Sequence, residues 1–324
     1  MRVIALRRSV LTIGFSAFSH NSAVNNSLDS LTQFFLDARS QTNQPFVKKD
    51  AGVEPLNYFS LGRLKELLGN PLLSPDWLQV NVGGKAMSFD EDFLWKFVQK
   101  KKLCFIDKKK MDEAVARGAS VVLEGLDILD SGIHALCAEI DSQLPCALIN
   151  CEAFFSQKNN EAYYGHRDSD DVLVMQIEGQ KRWRVHEPQQ RRYRGNSPLT
   201  EQQMGPLLAE FVMNPGDILF VRAGVPHRCI TEGAYSLHLS FDLCDRTPNI
   251  EQITEAANQL HAESLAPMNA TANEVVDHYI RHLKSERFAK HLETASASMK
   301  DQATRFRQRM GQAGPIKALD RFIK

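Results

Sequence analysis

Gly165-His-Arg-Asp-Ser-Asp-Asp-Val-Leu-Val-Met-Gln-Ile-Glu-Gly-Gln-Lys-Arg-Trp-Arg-Val185 is the stretch on which the reading of this chain turns. It opens with a His-x-Asp spacing, His166 and Asp168, which in extended backbone sends both side chains off one face. Val172 to Ile177 is an apolar run rich in β-branched residues and predicts a strand. Glu178-Gly179 reads as a turn, with Lys181 to Val185 as the returning strand of a hairpin. On that strand Lys181 and Trp183 face one side, Arg182 and Arg184 the other.

Outward from this stretch the texture stays β. Cys146-Ala-Leu-Ile-Asn150 and Ala153-Phe-Phe155 precede it as strands. Asn214-Pro-Gly-Asp217 turns into Ile218-Leu-Phe-Val221, Gly224-Val-Pro-His-Arg228 follows, and Ser236 to Phe241 is a further strand. Short antiparallel strands punctuated by Gly, Pro and Asp predict a mainly β fold with flanking helices. The expected architecture is a double-stranded β-helix, the jelly roll of cupins, followed by a C-terminal helical region. Upstream, helices are expected at Leu31–Leu36, Leu61–Leu68, Asp90–Val98, Asp107–Arg117 and Ile133–Ile140. Strands are expected at Pro45–Val47, Leu78–Val82 and Ser120–Leu123. Beyond Arg246-Thr-Pro248 two amphipathic stripes appear, Ile250/Ile253/Ala257/Leu260 and Val275/Val276/Tyr279/Ile280/Leu283.

Composition narrows the class. The 324 residues hold 39 Lys and Arg against 39 Asp and Glu, with 43% hydrophobic and 24% charged residues. A net charge of zero gives no overall field that would gather nucleic acid or a membrane. No stretch approaches the ~20 apolar residues of a spanning helix, so no membrane association is expected. The six cysteines form no Cys-x-x-Cys pair and read as reduced, buried thiols of a cytoplasmic protein. Arg2, Arg7 and Arg8 before Val10–Phe18 are faintly like an export signal, but Ser9, Thr12, Gly14 and Ser16 interrupt the run. Residues 1–29 therefore read as a poorly ordered extension, 30–247 as the β domain and 248–324 as a helical region.

His166, Asp168 and His227 carry the chemistry. Two imidazoles and one carboxylate on one face of a metal leave the opposite face open, the arrangement of non-haem Fe(II) oxygenases. Structural zinc would want a fourth ligand, usually cysteine; Cys229, near His227, reads as packing. His134, His186 and His261 read as ordinary hydrogen-bonded histidines. Activating O₂ at Fe(II) needs two further electrons, which an oxidisable 2-oxoacid supplies by losing CO₂. Such a diacid needs a cation for its far carboxylate, and Lys181, facing inward with Trp183, is the candidate.

With these residues in place, residues 120–242 resemble the JmjC-type, cupin-fold 2-oxoglutarate oxygenases, most closely the ribosomal oxygenase branch. The resemblance rests on Val121-Val-Leu-Glu-Gly125, Cys146 to Asn150, Gly165 to Val185 with its Gln-x-x-Gly-x-Lys-x-Trp phrase, Pro215 to Arg222, Pro226-His227 and Ser236 to Ser240. Phe34-Phe35 and Pro45-Phe-Val47 are similar to the opening helix and strand of that family. The resemblance implies a dioxygenase using Fe(II), 2-oxoglutarate and O₂, which releases succinate and CO₂ and hydroxylates a protein or peptide side chain. The resemblance leaves a ribosomal protein as one candidate substrate. Position by position, it makes His166, Asp168 and His227 the iron ligands and Lys181 the holder of the distal carboxylate. It places Asn150, His238 and Ser240 around the co-substrate. Two departures stand out: the tail is too short for both a helical dimerisation region and a winged helix, and the Ser156–Tyr164 loop differs from the usual Pro-rich version.

The rival readings are a hydroxylase of a modified RNA base or small natural product, and a metal-binding cupin without turnover. Methyl-lysine demethylation is chemically open to the same site. The basic strip of Arg182, Arg184, Arg191, Arg192 and Arg194 with Tyr193 is either a solvated, ion-paired face or a landing site for an acidic peptide or RNA. The C-terminal stripes suggest a homodimer.

Overall fold

The computed structural model describes residues 33, 34, 37, 38, 46–49, 57–82, 85–88, 93–143, 148–157, 160–188, 198–244, 271–290, 292–294 and 305. The elements in chain order are β1 (Phe46–Lys48), α1 (Leu61–Leu68), β2 (Leu78–Val82), β3 (Lys85–Ala86), β4 (Phe93–Val98), β5 (Lys101–Ile106), α2 (Lys108–Ala116) and β6 (Ser120–Leu123). They continue with α3 (Leu126–Leu129), α4 (Ser131–Gln143), β7 (Leu148–Gln157), β8 (Asp171–His186), α5 (Glu201–Met204), β9 (Leu207–Met213), β10 (Ile218–Val221), β11 (His227–Cys244) and α6 (Ala272–Leu283). The helix starts are chemically explicit. Ser60 accepts the Arg63 amide of α1 at 3.1 Å, Asp107 accepts the amides of Lys109 and Lys110, and Asp130 accepts Gly132 and Ile133 at the start of α4. Thr271 and Glu274 close a reciprocal capping box on α6.

The strands form a nine-stranded antiparallel sheet in the order β1-β10-β8-β11-β7-β6-β2-β3, with β9 on β8. The long strands β7, β8 and β11 alternate, and their two faces have different fates. Leu173, Met175, Ile177, Ile149, Cys151, Ala153, Leu237, Leu239, Phe241 and Leu243 point outward against the helices, joining Leu126, Ile133, Leu136 and Ile140 in the main core. Val172, Val174, Trp183, Val185, Met213, Leu219 and Val221 point inward and form a smaller core inside the curled sheet. This is the double-stranded β-helix expected of the sequence, with helices on the outside.

Two elements differ from expectation. Glu178-Gly179 is not a hairpin turn: β8 runs unbroken from Asp171 to His186 beside β11. Gln180 alone stands opposite Glu232–Tyr235, between the pairs Thr231–Lys181 and Ser236–Gly179, so the ribbon turns a corner there. Gly179 has φ +66°, and a Cβ on it would lie 2.0 Å from the Tyr235 carbonyl oxygen, so only glycine fits. The Glu178 carboxylate pins the corner by accepting from the Leu61 amide at 2.7 Å and the Tyr235 hydroxyl at 2.8 Å. The second difference is at the helix expected over Asp90–Val98. Phe93–Val98 is a strand paired with Lys101–Ile106 in a separate ribbon, because aromatic and β-branched residues with an antiparallel partner outweigh a capping aspartate.

Cys146–Asn150 and Ala153–Phe155 merge into one strand, β7, described from Leu148. The stripe at 275–283 lies on α6, while the stripe at 250–260, residues 1–29, His261 and the Arg191–Arg194 strip lie outside the described residues. No helix among the described residues is long and apolar enough to cross a membrane.

Candidate metal centre

His166 and Asp168 sit between β7 and β8, and His227 is the first residue of β11. A short antiparallel bridge joins them: the His166 amide donates to the His227 carbonyl at 3.0 Å, and the His227 amide donates back at 2.9 Å. Two distant sequence motifs are thereby locked side by side. The three donor atoms all lie within 4.8 Å of one another. His166 Nε2 is 3.4 Å from one Asp168 carboxylate oxygen, and His227 Nε2 is 3.5 Å from the other.

The tautomers follow from the backbone. His166 Nδ1 is 2.8 Å from the Tyr164 carbonyl and His227 Nδ1 is 3.1 Å from the Val225 carbonyl. A carbonyl only accepts, so each Nδ1 carries the proton and each Nε2 turns a lone pair toward Asp168. Complete burial holds the His227 imidazole below its usual pKa, in the neutral form a metal needs. Burial also pulls His166 down, but the hydrogen bond and charge of Asp168 outweigh it and the net shift is upward. Burial raises the Asp168 carboxyl, but its two histidine neighbours more than offset this and keep it low. Two lone pairs and a carboxylate converging on one point fit a divalent cation, and three donors leave part of its coordination sphere open. Trp183 stacks on the His227 ring at 5.6 Å, and Tyr163 meets the His166 ring edge-on at 5.5 Å.

Lys181 lies two positions from Trp183 on the same inner face, fully buried. Its ammonium donates to Ser156 Oγ at 2.7 Å, and that hydroxyl lies 2.7 Å from Thr231 Oγ1. No carboxylate pairs with it among the described residues, and burial lowers its pKa. Nothing local in the sequence marks Ser156 or Thr231 as neighbours of this lysine. Thr231 is the cross-strand partner of Lys181, a fact that depends on the β8–β11 register. His238 is 2% exposed, stacks flat on Phe154 at 4.9 Å and leaves Nδ1 without a partner. Ser240 lines the same cavity, whereas Asn150 shares the inner face opposite Asp242 but does not line the cavity.

The cavity measures about 840 Å³ and is lined by the triad, Trp183, His238, Ser240 and the 160–164 segment. That segment belongs to the loop singled out in the sequence as unlike the usual version. Five carboxylates line the cavity, Glu124, Glu152, Glu161, Asp168 and Asp242, and no Lys or Arg among the described residues does. Glu161 is neutralised by a two-pronged contact with Arg228 at 2.8 and 2.9 Å. Glu152 is pushed up to about 8, first by burial and then by Asp242 and Glu124. Burial, with Asp168 next, pushes Asp242 up to about 7. Arg182 and Arg184 face away from the cavity and pair with Glu210, so this part of the basic strip is an ion-paired face. His134 and His186 are hydrogen-bonded to backbone carbonyls, as expected of structural histidines.

Residues 131–253 match the JmjC domain family model, so this part of the chain is similar to that domain. Among individual relatives, it is 28% identical over 135 residues to the bifunctional lysine-specific demethylase and histidyl-hydroxylase NO66 of Drosophila erecta, covering 40% of this chain and 20% of that protein. To the protein of the same name in Drosophila willistoni it is 31% identical over 144 residues, covering 42% and 17%. The chain thus spans about a fifth of the length of the curated relatives it matches. The fold is similar to that of YcfD, a ribosomal oxygenase from Escherichia coli solved with cobalt and 2-oxoglutarate, at TM-score 0.52 and 16% identity over 82% of this chain and 70% of that one.

Proposed function

We propose that this protein is an Fe(II)- and 2-oxoglutarate-dependent dioxygenase that hydroxylates a basic side chain of a protein or peptide. The observation that carries this reading is Lys181: a fully buried ammonium with no carboxylate partner among the described residues, on the same inner face as the His166/Asp168/His227 cluster. A buried cation without a counter-charge is costly, and a diacid's far carboxylate removes that cost. In the overall reaction 2-oxoglutarate, O₂ and a substrate C–H bond become succinate, CO₂ and a C–OH bond.

His166, Asp168 and His227 would hold the metal, with the two imidazoles already oriented by the Tyr164 and Val225 carbonyls. Bound Fe(II) supplies O₂ activation coupled to the loss of CO₂ from the 2-oxoacid. Lys181, with Ser156 holding one of its protons, fixes the far end of the co-substrate so that its 2-oxo end lies at the triad. Trp183, Phe154 and Val174 keep the reacting centre apolar. Glu152 and Asp242 give the cavity a demand for positive charge, which argues for a basic residue and against an acidic peptide in the site. Lysine and histidine, the residues in the relatives' names, are of that class.

In the same reading the protein works in the cytoplasm and residues 30–247 form the oxygenase domain. Residues 248–324 join two copies, a role supported by the exposed Val276 and Ile280 one turn apart on α6. A ribosomal protein, rich in basic residues, is a suitable substrate. The test is succinate formation from 2-oxoglutarate with Fe(II), together with a gain of about sixteen daltons on a lysine-, arginine- or histidine-bearing peptide, the mass of one oxygen atom. Wild type is expected to give both and His166→Ala neither. Equal succinate from the two proteins would overturn the reading.

A further inference from the structure

The ribbon β4–β5 contributes nothing to the cavity. Phe93 and Ile106, each 7% exposed and paired across the strands, anchor its base. Beyond them large apolar side chains stand in solvent: Leu94 and Trp95 are each 55% and Phe97 is 61% exposed. Four lysines, Lys96, Lys100, Lys101 and Lys102, lie between Phe93 and Ile106 with no acidic residue among them, and all four are exposed. Lysines on a free strand edge are a common guard against sheet-to-sheet association. That explains the lysines but not two exposed aromatic rings beside them.

Trp95 and Phe97 leave the same face of β4, about 7 Å apart along the strand. Their rings meet edge-on at 5.7 Å. Lys102, the cross-strand partner of Phe97, shares that face and holds its ammonium 5.6 Å from the Trp95 ring. Lys100 sits at the tip beside them. A row of stackable rings bordered by lysines matches a chain of bases on a phosphate backbone. We propose that this ribbon binds single-stranded nucleic acid, its bases on Trp95 and Phe97 and its phosphates on Lys100 and Lys102, with Lys96 and Lys101 adding to the local field.

Two other occupants fit less well. Insertion into a membrane would drive the tip, Gln99-Lys100-Lys101, deepest, and that is the most polar part of the ribbon. A second copy docking by two-fold symmetry would set the four lysines against themselves. Net charge zero over the whole chain does not oppose the proposal, since the basic charge here is local.

The experiment is fluorescence anisotropy of a labelled oligouridine, about twelve nucleotides long to span one such site, titrated with the full-length protein at several salt concentrations. Wild type is expected to bind and to weaken with salt. Trp95→Ala and Phe97→Ala are each expected to weaken binding about tenfold, the loss of one stacked base. Replacing Lys100 and Lys102 together by glutamine should reduce the log–log salt slope by about 1.4, at roughly 0.7 per phosphate contact. All these side chains are exposed, so melting temperature and succinate production should match wild type. The proposal is overturned if wild type does not bind or if both ring deletions bind as wild type does. Equal affinity for polyglutamate or for phosphatidylserine vesicles would also overturn it, showing charge alone or a lipid surface at work.

Discussion

The inner and outer faces of the same three strands make different uses of neighbouring residues. On β11, Leu237, Leu239, Phe241 and Leu243 go outward into the main core, while Ser236, His238, Ser240 and Asp242 go inward. On β7 the outward residues are Ile149, Cys151, Ala153 and Phe155, and the inward ones Asn150, Glu152, Phe154 and Ser156. The outer face buries apolar surface against α3 and α4 and needs no partner beyond the protein. The inner face holds groups that are badly served by the protein alone: a buried ammonium with no carboxylate in ion-pair contact among the described residues, two carboxylates with raised pKa, and three donors converging as for a metal. In the proposed reading stability resides outside and binding inside, one residue apart along each strand.

The sharpest way to break this contrast is to exchange the charge at its centre for an apolar chain of similar length. Lys181→Met should weaken 2-oxoglutarate binding by about 10²–10³-fold, the ~3–5 kcal/mol of a buried carboxylate left unpaired. The same change should leave folding stability equal or higher, since a fully buried ammonium is replaced by a thioether. Calorimetric titration of 2-oxoglutarate and a thermal melt read the two effects. A variant that loses stability and keeps its affinity would reverse the assignment of the inner face.

The mirror experiment is on the outside. Phe241→Ala removes a fully buried outward ring that stands between the inward-facing Ser240 and Asp242. It should cost about 3–5 kcal/mol of stability. Activity per folded molecule should stay close to wild type. Chemical denaturation and succinate production at low temperature separate the two. Ser156→Ala tests the inner face more gently. It removes a hydroxyl that holds a Lys181 proton at 2.7 Å. The half-saturating 2-oxoglutarate concentration should rise about tenfold, as expected for a hydrogen bond to a charged group.

The division between faces is largely legible in the sequence because a strand's period of two is local. Lys181 and Trp183 share a face even though the expected hairpin is absent: residues two apart do so whichever way the strand runs. His166, Asp168 and His227 are legible because each lies in a short motif with its own turn. Ser156 and Thr231 are not, because their meeting with Lys181 depends on two strand pairings and on the register shift at the corner. The β4–β5 ribbon misleads a helix reading because an aspartate before an apolar run is the same signal at the start of a helix or a strand. The acidic wall stays hidden because Glu124, Glu152 and Asp242 are far apart in the chain and converge only when the sheet curls.

That wall gives the last and smallest effect, and it is one of pH. Glu152 titrates at about 8 in the fold against an ordinary value of 4.5. Between those values the folded protein keeps a proton that the unfolded chain releases, so stability falls as pH rises from about 4.5 to 8 and levels off above. Glu152→Gln should flatten that fall, measured as melting temperature against pH. A basic substrate prefers the ionised carboxylate, so its binding should tighten as pH rises toward about 8. In Glu152→Gln the KM for a basic peptide should be about tenfold higher at about pH 8 and nearly unchanged at about pH 6, with the KM for 2-oxoglutarate unaffected. If the variant and wild type share one KM at both pH values, the inner face does not select its substrate by charge, and the cavity's carboxylates serve the fold alone.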